Sequence, residues 1–190
     1  MAQILPSSAP VASFEGYACL FDQVDLGRDV IAPGAFAESL ARRGPAGVRL
    51  LYQHDPAEPI GVWASLTEDA IGLKVRGCLT LEVARARDVA ALVQAGALDG
   101  LSIGFKAVEA RTDPRTRVRR ITRIDLWEVS VVTFPMQPKA RIRVPLDANA
   151  PAFTPAFVPA PQPALPASTR AAAAAVTRAA ARLRPLLVAV

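Results

Sequence analysis

Proline and alanine dominate the chain beyond Pro145, and this composition limits where a packed core can form. Residues 145–168 (PLDANAPAFTPAFVPAPQPALPAS) favour extended, solvated backbone over burial in a core. Residues 169–190 open with an alanine- and arginine-rich stretch of high helix propensity. We therefore predict a folded domain over 1–144, a Pro/Ala-rich linker over 145–168 and an Ala/Arg-rich helical tail over 169–190.

Several classes of function find no support in the sequence. No apolar run reaches the roughly 20 residues of a membrane-spanning helix, and the N-terminal residues do not follow a signal-peptide pattern, so we expect a cytoplasmic protein with no membrane partner. Cys19 and Cys78 lie in apolar surroundings without CxxC spacing, which predicts buried free thiols. With one histidine and no phosphate-binding motif, we expect neither a metal nor another cofactor.

The net charge of +5 has an uneven distribution along the chain. A basic cluster lies around an Asp113–Pro114 turn, and its members are Arg111, Arg115, Arg117, Arg119, Arg120 and Arg123. Such a cluster can contact phosphates, but no aromatic residues interleave it to stack on bases. We predict a solvated hairpin tip, able to attract acidic protein segments, and regard nucleic-acid binding as the less favoured alternative.

Alternating apolar residues predict a mainly β domain. Two segments have helical character instead, about 34–42 and 82–95, each followed by a glycine. The predicted strands are 13–20, 48–52, 61–66, 71–79, 101–108 and 118–132. Six or seven strands with two helices predict a closed β-barrel or a β-sandwich with the helices outside it.

The segment LDGLSIGF contains the first candidate for chemistry, Ser102. In a strand Leu101, Ile103 and Phe105 face one side, which leaves Ser102 and Gly104 on the other. Gly104 would leave room for a substrate backbone beside the hydroxyl. The alternative is an ordinary strand serine.

His54, in the segment YQHDPAEPIG, is the second candidate and the only histidine of the chain. It is predicted to lie just past a strand, in a turn. An imidazole with an ordinary pKa of about 6.5 can accept and return a proton at neutral pH. The alternative is an exposed polar residue of a loop.

Glu128, in the segment LWEVSVVTFP, is the third candidate. Alternation predicts that Trp127, Val129 and Val131 face the core and that Glu128 faces outward with Leu126 and Ser130. A carboxylate in this place can orient an imidazole and stabilise its charged form. It can equally be a cross-strand partner for an arginine.

Together these three segments, in this order, resemble the signature blocks of the prohead (capsid-maturation) proteases of tailed phages of the HK97 type, which are related to the herpesvirus assemblins. An earlier block, FEGYACLFDQVD followed by VIAPGAF, also resembles that family's N-terminal region, so that the match covers about residues 12–143. The resemblance implies a serine endopeptidase with an assemblin-like fold, a closed and mostly antiparallel β-barrel ringed by helices.

The resemblance also implies site residues and partners. Ser102 would be the nucleophile and His54 the general base. Assemblins use a second histidine as the third residue of the catalytic triad, and this chain has none. We therefore assign the third position to Glu128, with Asp55 as the second candidate. Implied substrates are the major capsid protein with its scaffold segment, scaffolding proteins and the protease itself, within the assembling prohead of a phage, prophage or gene-transfer particle. Self-association is expected, and a catalytically inactive capsid scaffolding protein is the alternative function.

Overall fold

The computed structural model describes residues 11–147, so the predicted helical tail and residues 148–168 of the predicted linker lie outside the described part. Strands predominate, as predicted, and a single turn of 3-10 helix covers Pro45–Gly47. The elements in chain order are β1 (Val11–Leu20), β2 (Asp29–Ile31), α1 (Ala37–Arg43), β3 (Arg49–Tyr52), β4 (Asp55–Glu68), β5 (Gly72–Thr80), α2 (Ala84–Gln94), β6 (Gly100–Thr112), β7 (Arg119–Val132) and β8 (Ile142–Asp147).

All eight strands belong to one sheet, in the order β2-β7-β3-β4-β5-β1-β8, with β6 pairing along the other side of β7. Most neighbours are antiparallel, but β2 and β3 run parallel to β7. Side chains of alternate strand residues point to the same face, and the inner face is apolar because the residues that point to it are apolar. Fully buried side chains on it include Phe14, Leu50, Leu79, Leu101, Ile121 and Val129.

The prediction of a closed barrel is wrong, because the sheet is an open, strongly curled half-barrel. At the seam between β6 and the segment that leads into β8, a single bridge joins Gly100 to Arg141. Two backbone hydrogen bonds flank it, from Leu101 N–H to the Ala140 carbonyl at 3.0 Å and from Ile142 N–H to the Asp99 carbonyl at 2.8 Å. In the described part of the chain no ladder continues from β6 to β1 or β8. Closure requires consistent strand tilt and register around the whole ring, which the number of strands does not determine.

The two helices form where the sequence predicted helical character, and both lie against the sheet. Ser39 of α1 accepts a hydrogen bond from Leu126 N–H of β7 at 2.9 Å, while Gly44, with φ of 61°, follows the end of that helix. Helix α2 buries Ala86, Val89, Ala90 and Val93. Neither helix has the length and apolarity needed to cross a membrane, and the same holds for any helix within residues 11–147.

A β-bulge in β7 contradicts the predicted orientations of Trp127 and Leu126. Leu126 pairs with Phe105 and Glu128 with Gly104, so that Trp127 has no partner on β6. Trp127 is 51% exposed, whereas Leu126 is fully buried. The extra residue shifts the alternation, so that Leu126 and Val129 both face the core and Glu128 still faces outward.

Candidate functional site

His54 occupies a tight turn between β3 and β4. Tyr52 pairs with Asp55 across the turn, and the two central residues, Gln53 and His54, have φ angles of 55° and 61°. Two positive φ values are the signature of a type I′ hairpin turn. In non-glycine residues this backbone costs about 1–2 kcal/mol each, and such strain concentrates at functional sites.

Contacts with the end of β7 hold this turn in place. Gln53 donates its backbone N–H to the Val131 carbonyl at 3.0 Å and its side-chain Nε2–H to Thr133 Oγ1 at 2.6 Å. The His54 N–H donates to Ser130 Oγ at 3.1 Å. The turn therefore holds the imidazole over the outer face of β7.

The His54 imidazole contacts the Glu128 carboxylate through Nδ1, which lies 2.6 Å from Oε1. The Glu128 side chain is 12% exposed and that of His54 is 41% exposed. The hydrogen bond that the imidazole donates to Glu128 raises the pKa of His54, with partial burial acting in the opposite direction. When the imidazole is neutral, a carboxylate at Nδ1 favours the tautomer with the proton there, and Nε2 keeps its lone pair.

Ser130 connects the two members of this pair. Its hydroxyl donates to Glu128 Oε2 at 2.6 Å and accepts the His54 N–H, and the residue is fully buried. The alternation in the sequence predicts that Ser130 shares a face with Glu128, but it indicates no role for this serine. The feature of the sequence that could have identified Ser130 is its position, because a residue two places beyond Glu128 on the same strand lies on the same face.

Ser102 lies directly opposite Ser130 in the antiparallel β6–β7 pair and is 5% exposed. Side chains at directly opposed positions share a face, with Cβ atoms about 4.5–5.5 Å apart. Ser102 therefore lies on the face that carries Ser130, Glu128 and the overlying imidazole. Within residues 11–147 no hydrogen bond joins the Ser102 hydroxyl to His54; in unliganded enzymes such bonds are often long and tighten when substrate binds.

Gly104 makes room for the Glu128 side chain, and not for a substrate backbone as the sequence suggested. Gly104 lies opposite Glu128 in the ladder. A Cβ atom at this position would lie 2.7 Å from Glu128 Cδ and 2.9 Å from its Cγ, and nearer still to Oε1. Only glycine therefore allows the carboxylate its observed position next to His54.

Asp55, the reserve candidate for the third residue, has a different partner. Its carboxylate accepts the N–H of Ala57 at 2.8 Å, inside the start of β4, while the Nδ1 of His54 contacts Glu128. A carboxylate, an imidazole and a hydroxyl on one face can activate that hydroxyl as a nucleophile.

Comparison with known proteins points to one family. The sequence model of the caudovirus prohead serine proteases matches residues 4–151. The prohead protease of Enterobacteria phage HK97 is 40% identical over 134 residues, which is 68% of this chain and 58% of that protein. The chain thus spans less than two thirds of the length of that relative.

Solved structures show the same fold at low sequence identity. The capsid assembly protease of bacteriophage T4 has a TM-score of 0.52 at 14% identity, covering 63% of this chain and 80% of that one. A KSHV protease in complex with a hexapeptide phosphonate inhibitor has a TM-score of 0.50 at 13% identity, covering 70% and 63%. The family match spans more than half of the chain, and the chain belongs to the caudovirus prohead serine protease family.

Proposed function

We propose that this protein is a serine endopeptidase in which Ser102 is the nucleophile, His54 the general base and Glu128 the residue that orients and stabilises the imidazole. The observation that supports this most directly is the 2.6 Å contact between His54 Nδ1 and Glu128 Oε1. It lies on the strand face that also carries Ser102. Membership of a protease family supports the same chemistry.

The proposed reaction passes through an acyl-enzyme. His54 Nε2 accepts the Ser102 Oγ proton as Oγ attacks the peptide carbonyl carbon, and Glu128 stabilises the resulting imidazolium. Collapse of the tetrahedral intermediate breaks the C–N bond, and the Nε2 proton passes to the leaving amine. Water then gives its proton to His54 and attacks the ester carbonyl carbon. As the ester C–O bond breaks, His54 returns that proton to Ser102 Oγ, which releases the acid and restores both residues. Ser130 contacts both Glu128 and His54, and acts in this scheme by positioning them.

The proposed substrates are structural proteins of the assembling prohead. We infer the major capsid protein with its scaffold segment, scaffolding proteins and the protease itself, cleaved inside the particle where copies of the protease can associate. Two relatives support this inference, because one is named a prohead protease and another a capsid assembly protease.

The proposed function is tested by co-expressing this protein with the major capsid protein of the same particle. We expect the capsid protein to lose its scaffold segment, with a single new N-terminus found by N-terminal sequencing, when the wild-type protease is present. Ser65→Ala, which changes a serine of β4, should process it equally well. Unchanged capsid protein in the presence of wild-type protease would favour the alternative of an inactive scaffolding protein.

Nucleic-acid binding by the basic hairpin has less support. Three of its arginines face carboxylates: Arg119 Nε lies 2.8 Å from Asp29 Oδ1, Arg120 Nη2 2.8 Å from Asp22 Oδ1, and Arg123 Nη1 3.4 Å from Glu38 Oε2. These carboxylates compete with phosphate for the guanidinium groups.

Gly104→Ala should reduce activity far more than stability. The added methyl group displaces the Glu128 side chain and breaks its hydrogen bonds with His54 and Ser130, so we expect the free energy of unfolding to fall by about 1–3 kcal/mol. Loss of the His54 contact should lower kcat/KM by roughly 10²- to 10⁴-fold. Thermal unfolding and peptide cleavage measure the two effects.

A double variant shows whether Gly104 acts through Glu128. If it does, Gly104→Ala combined with Glu128→Gln should be no slower than Glu128→Gln alone. If the losses of kcat/KM caused by the two substitutions multiply in the double variant, the methyl group disturbs a different part of the site.

A further inference from the structure

The hairpin formed by β6 and β7 ends in a basic tip that the proposed reaction does not use. Residues 111–117 (RTDPRTR), which we call the hairpin tip, contain three arginines and one carboxylate, hence a net charge of +2. Arg111, Arg115 and Arg117 are exposed. Among the described residues no carboxylate lies within ion-pairing distance of these three arginines. Their charges can therefore pair with a ligand.

The carboxylate of the hairpin tip, Asp113, is bonded within the turn itself. Its Oδ1 accepts the N–H groups of Thr116 and Arg115, each at 2.8 Å, and these bonds lower the pKa of Asp113. Its carbonyl accepts the Arg117 N–H at 2.8 Å, and the Thr116 carbonyl accepts a hydrogen bond from the Arg28 guanidinium. The turn therefore has a defined backbone from which the three arginine side chains project.

The arginines of β7 next to the hairpin tip show which kind of group this surface binds. Three of them pair with carboxylates from other parts of the chain, as described above. Arg120, which pairs with Asp22, lies directly opposite Arg111 in the β6–β7 ladder. Like charges at directly opposed positions repel each other, and a second carboxylate, bound to Arg111, would reduce this repulsion.

A hollow of about 400 Å³ lies beside the hairpin tip and gives a ligand more than charge to contact. Its wall combines the apolar side chains of Val30, Pro114 and Val118 with the guanidinium groups of Arg111 and Arg120. A peptide chain suits such a wall, because its aliphatic groups can lie on the apolar part while its carboxylates reach the arginines.

The hairpin tip is remote from Ser102 but lies on the same strand. Arg111 follows Ser102 by nine residues along β6. A strand advances about 3.3 Å per residue, so the two residues are at most about 30 Å apart. An extended peptide covers this distance with roughly nine residues, whereas a hexapeptide cleaved at its centre is too short to reach the hairpin tip.

We propose that the hairpin tip is a docking site for an acidic segment of the protein substrate, about nine residues away from the peptide bond that Ser102 cleaves. The proposal rests on the proposed function of Ser102. Docking adds binding energy equally to the bound substrate and to its transition state, so it lowers KM and leaves kcat unchanged. A peptide is favoured over nucleic acid because residues 109–123 contain no aromatic side chain on which a base could stack.

Two substrates that differ only in a distant segment test the proposal. Both contain the cleavage sequence of the capsid protein, followed or preceded after about ten residues by a segment of six glutamates in one substrate and six glutamines in the other. We expect KM for the glutamate substrate to be about 10-fold lower, as for three exposed ion pairs of about twofold each, with the same kcat.

A triple variant shows whether the hairpin tip causes this difference. It replaces the three unpaired arginines: Arg111→Gln, Arg115→Gln and Arg117→Gln. It should cleave the two long substrates with equal KM and a hexapeptide at the wild-type rate. The matched control removes three exposed positive charges from β5 and α2 instead, and should keep the 10-fold difference: Lys74→Gln, Arg76→Gln and Arg87→Gln.

The outcomes separate this proposal from the one on which it depends. If the substrates are cleaved, equal KM values for glutamate and glutamine, or a difference that survives in the triple variant, would overturn the docking site alone. If nothing is cleaved, fluorescence anisotropy with a labelled hexaglutamate peptide tests docking by itself. Binding that the triple variant weakens about 10-fold would support the docking site without the peptidase. Absent binding, or tighter binding of a single-stranded DNA of equal charge, would overturn it.

Discussion

Ser102→Ala should abolish cleavage and leave the fold intact. Loss of the nucleophile of a catalytic triad lowers kcat by about 10⁶-fold. The fold should not depend on the Ser102 hydroxyl, because in the described residues the hydrogen bond from His54 N–H goes to Ser130 and none goes to Ser102. We expect the free energy of unfolding to stay within about 1 kcal/mol of the wild-type value. Peptide cleavage and denaturant unfolding, measured on the same preparation, test both parts.

A second substitution shows whether Ser102 and His54 act as a unit. His54→Ala alone should cost nearly as much as Ser102→Ala, and the double variant should be no slower than either single variant. Losses that multiply would mean that the two residues contribute separately, which contradicts a shared proton transfer.

Glu128→Gln should lower kcat/KM by about 10⁴-fold, because an amide at Nδ1 no longer fixes the reactive tautomer or stabilises the imidazolium. The matched control is Glu109→Gln, which changes an exposed carboxylate of β6. It should retain full activity. A Glu128→Gln enzyme with wild-type rates would remove Glu128 from the mechanism.

The pH dependence of the same variant has a defined sign. Glu128 raises the pKa of His54 above its ordinary value, and the base form of His54 exists only above that pKa. The acid limb of the kcat/KM profile should therefore shift to lower pH in Glu128→Gln. NMR titration of His54, the one histidine of the chain, should show the same shift directly.

The difference in unfolding free energy between the wild-type protein and Glu128→Gln should also depend on pH. Because the folded-state pKa of His54 is raised, the contribution of the His54–Glu128 pair is fully present below the unfolded pKa of about 6.5. It is lost as pH rises through the folded pKa. The stability difference between wild type and Glu128→Gln should thus be larger at pH 6 than at pH 9.

Local patterns in the sequence predicted what depends on local geometry. Period-two alternation correctly placed Ser102 and Glu128 on the outer face, and a tight turn after a strand correctly located His54. The orientations of Trp127 and Leu126 were wrong because a bulge adds one residue to β7, and no residue type in that segment marks it. The role of Gly104 depends on which residue lies across the ladder, which the sequence of one strand does not show.

The sequence did not predict the features that depend on contacts between distant segments of the chain. Whether the barrel closes is decided by the register between β6 and strands at the other end of the sheet, which meet at one bridge. A cavity beside Ser102 combines Ala18 and Asp25 with Met136, which lies far from both of them in the chain. Only the folded structure shows that these residues share a wall.

The central claim is that the strand hydroxyl of Ser102 is activated by the imidazole of His54. Treatment with a fluorophosphonate, followed by peptide mass spectrometry, tests it most directly, because the reagent bonds to activated serines. We predict one modified serine, Ser102, and no modification in His54→Ala. Modification of a different serine such as Ser130, or equal modification of Ser102 without His54, would contradict this account.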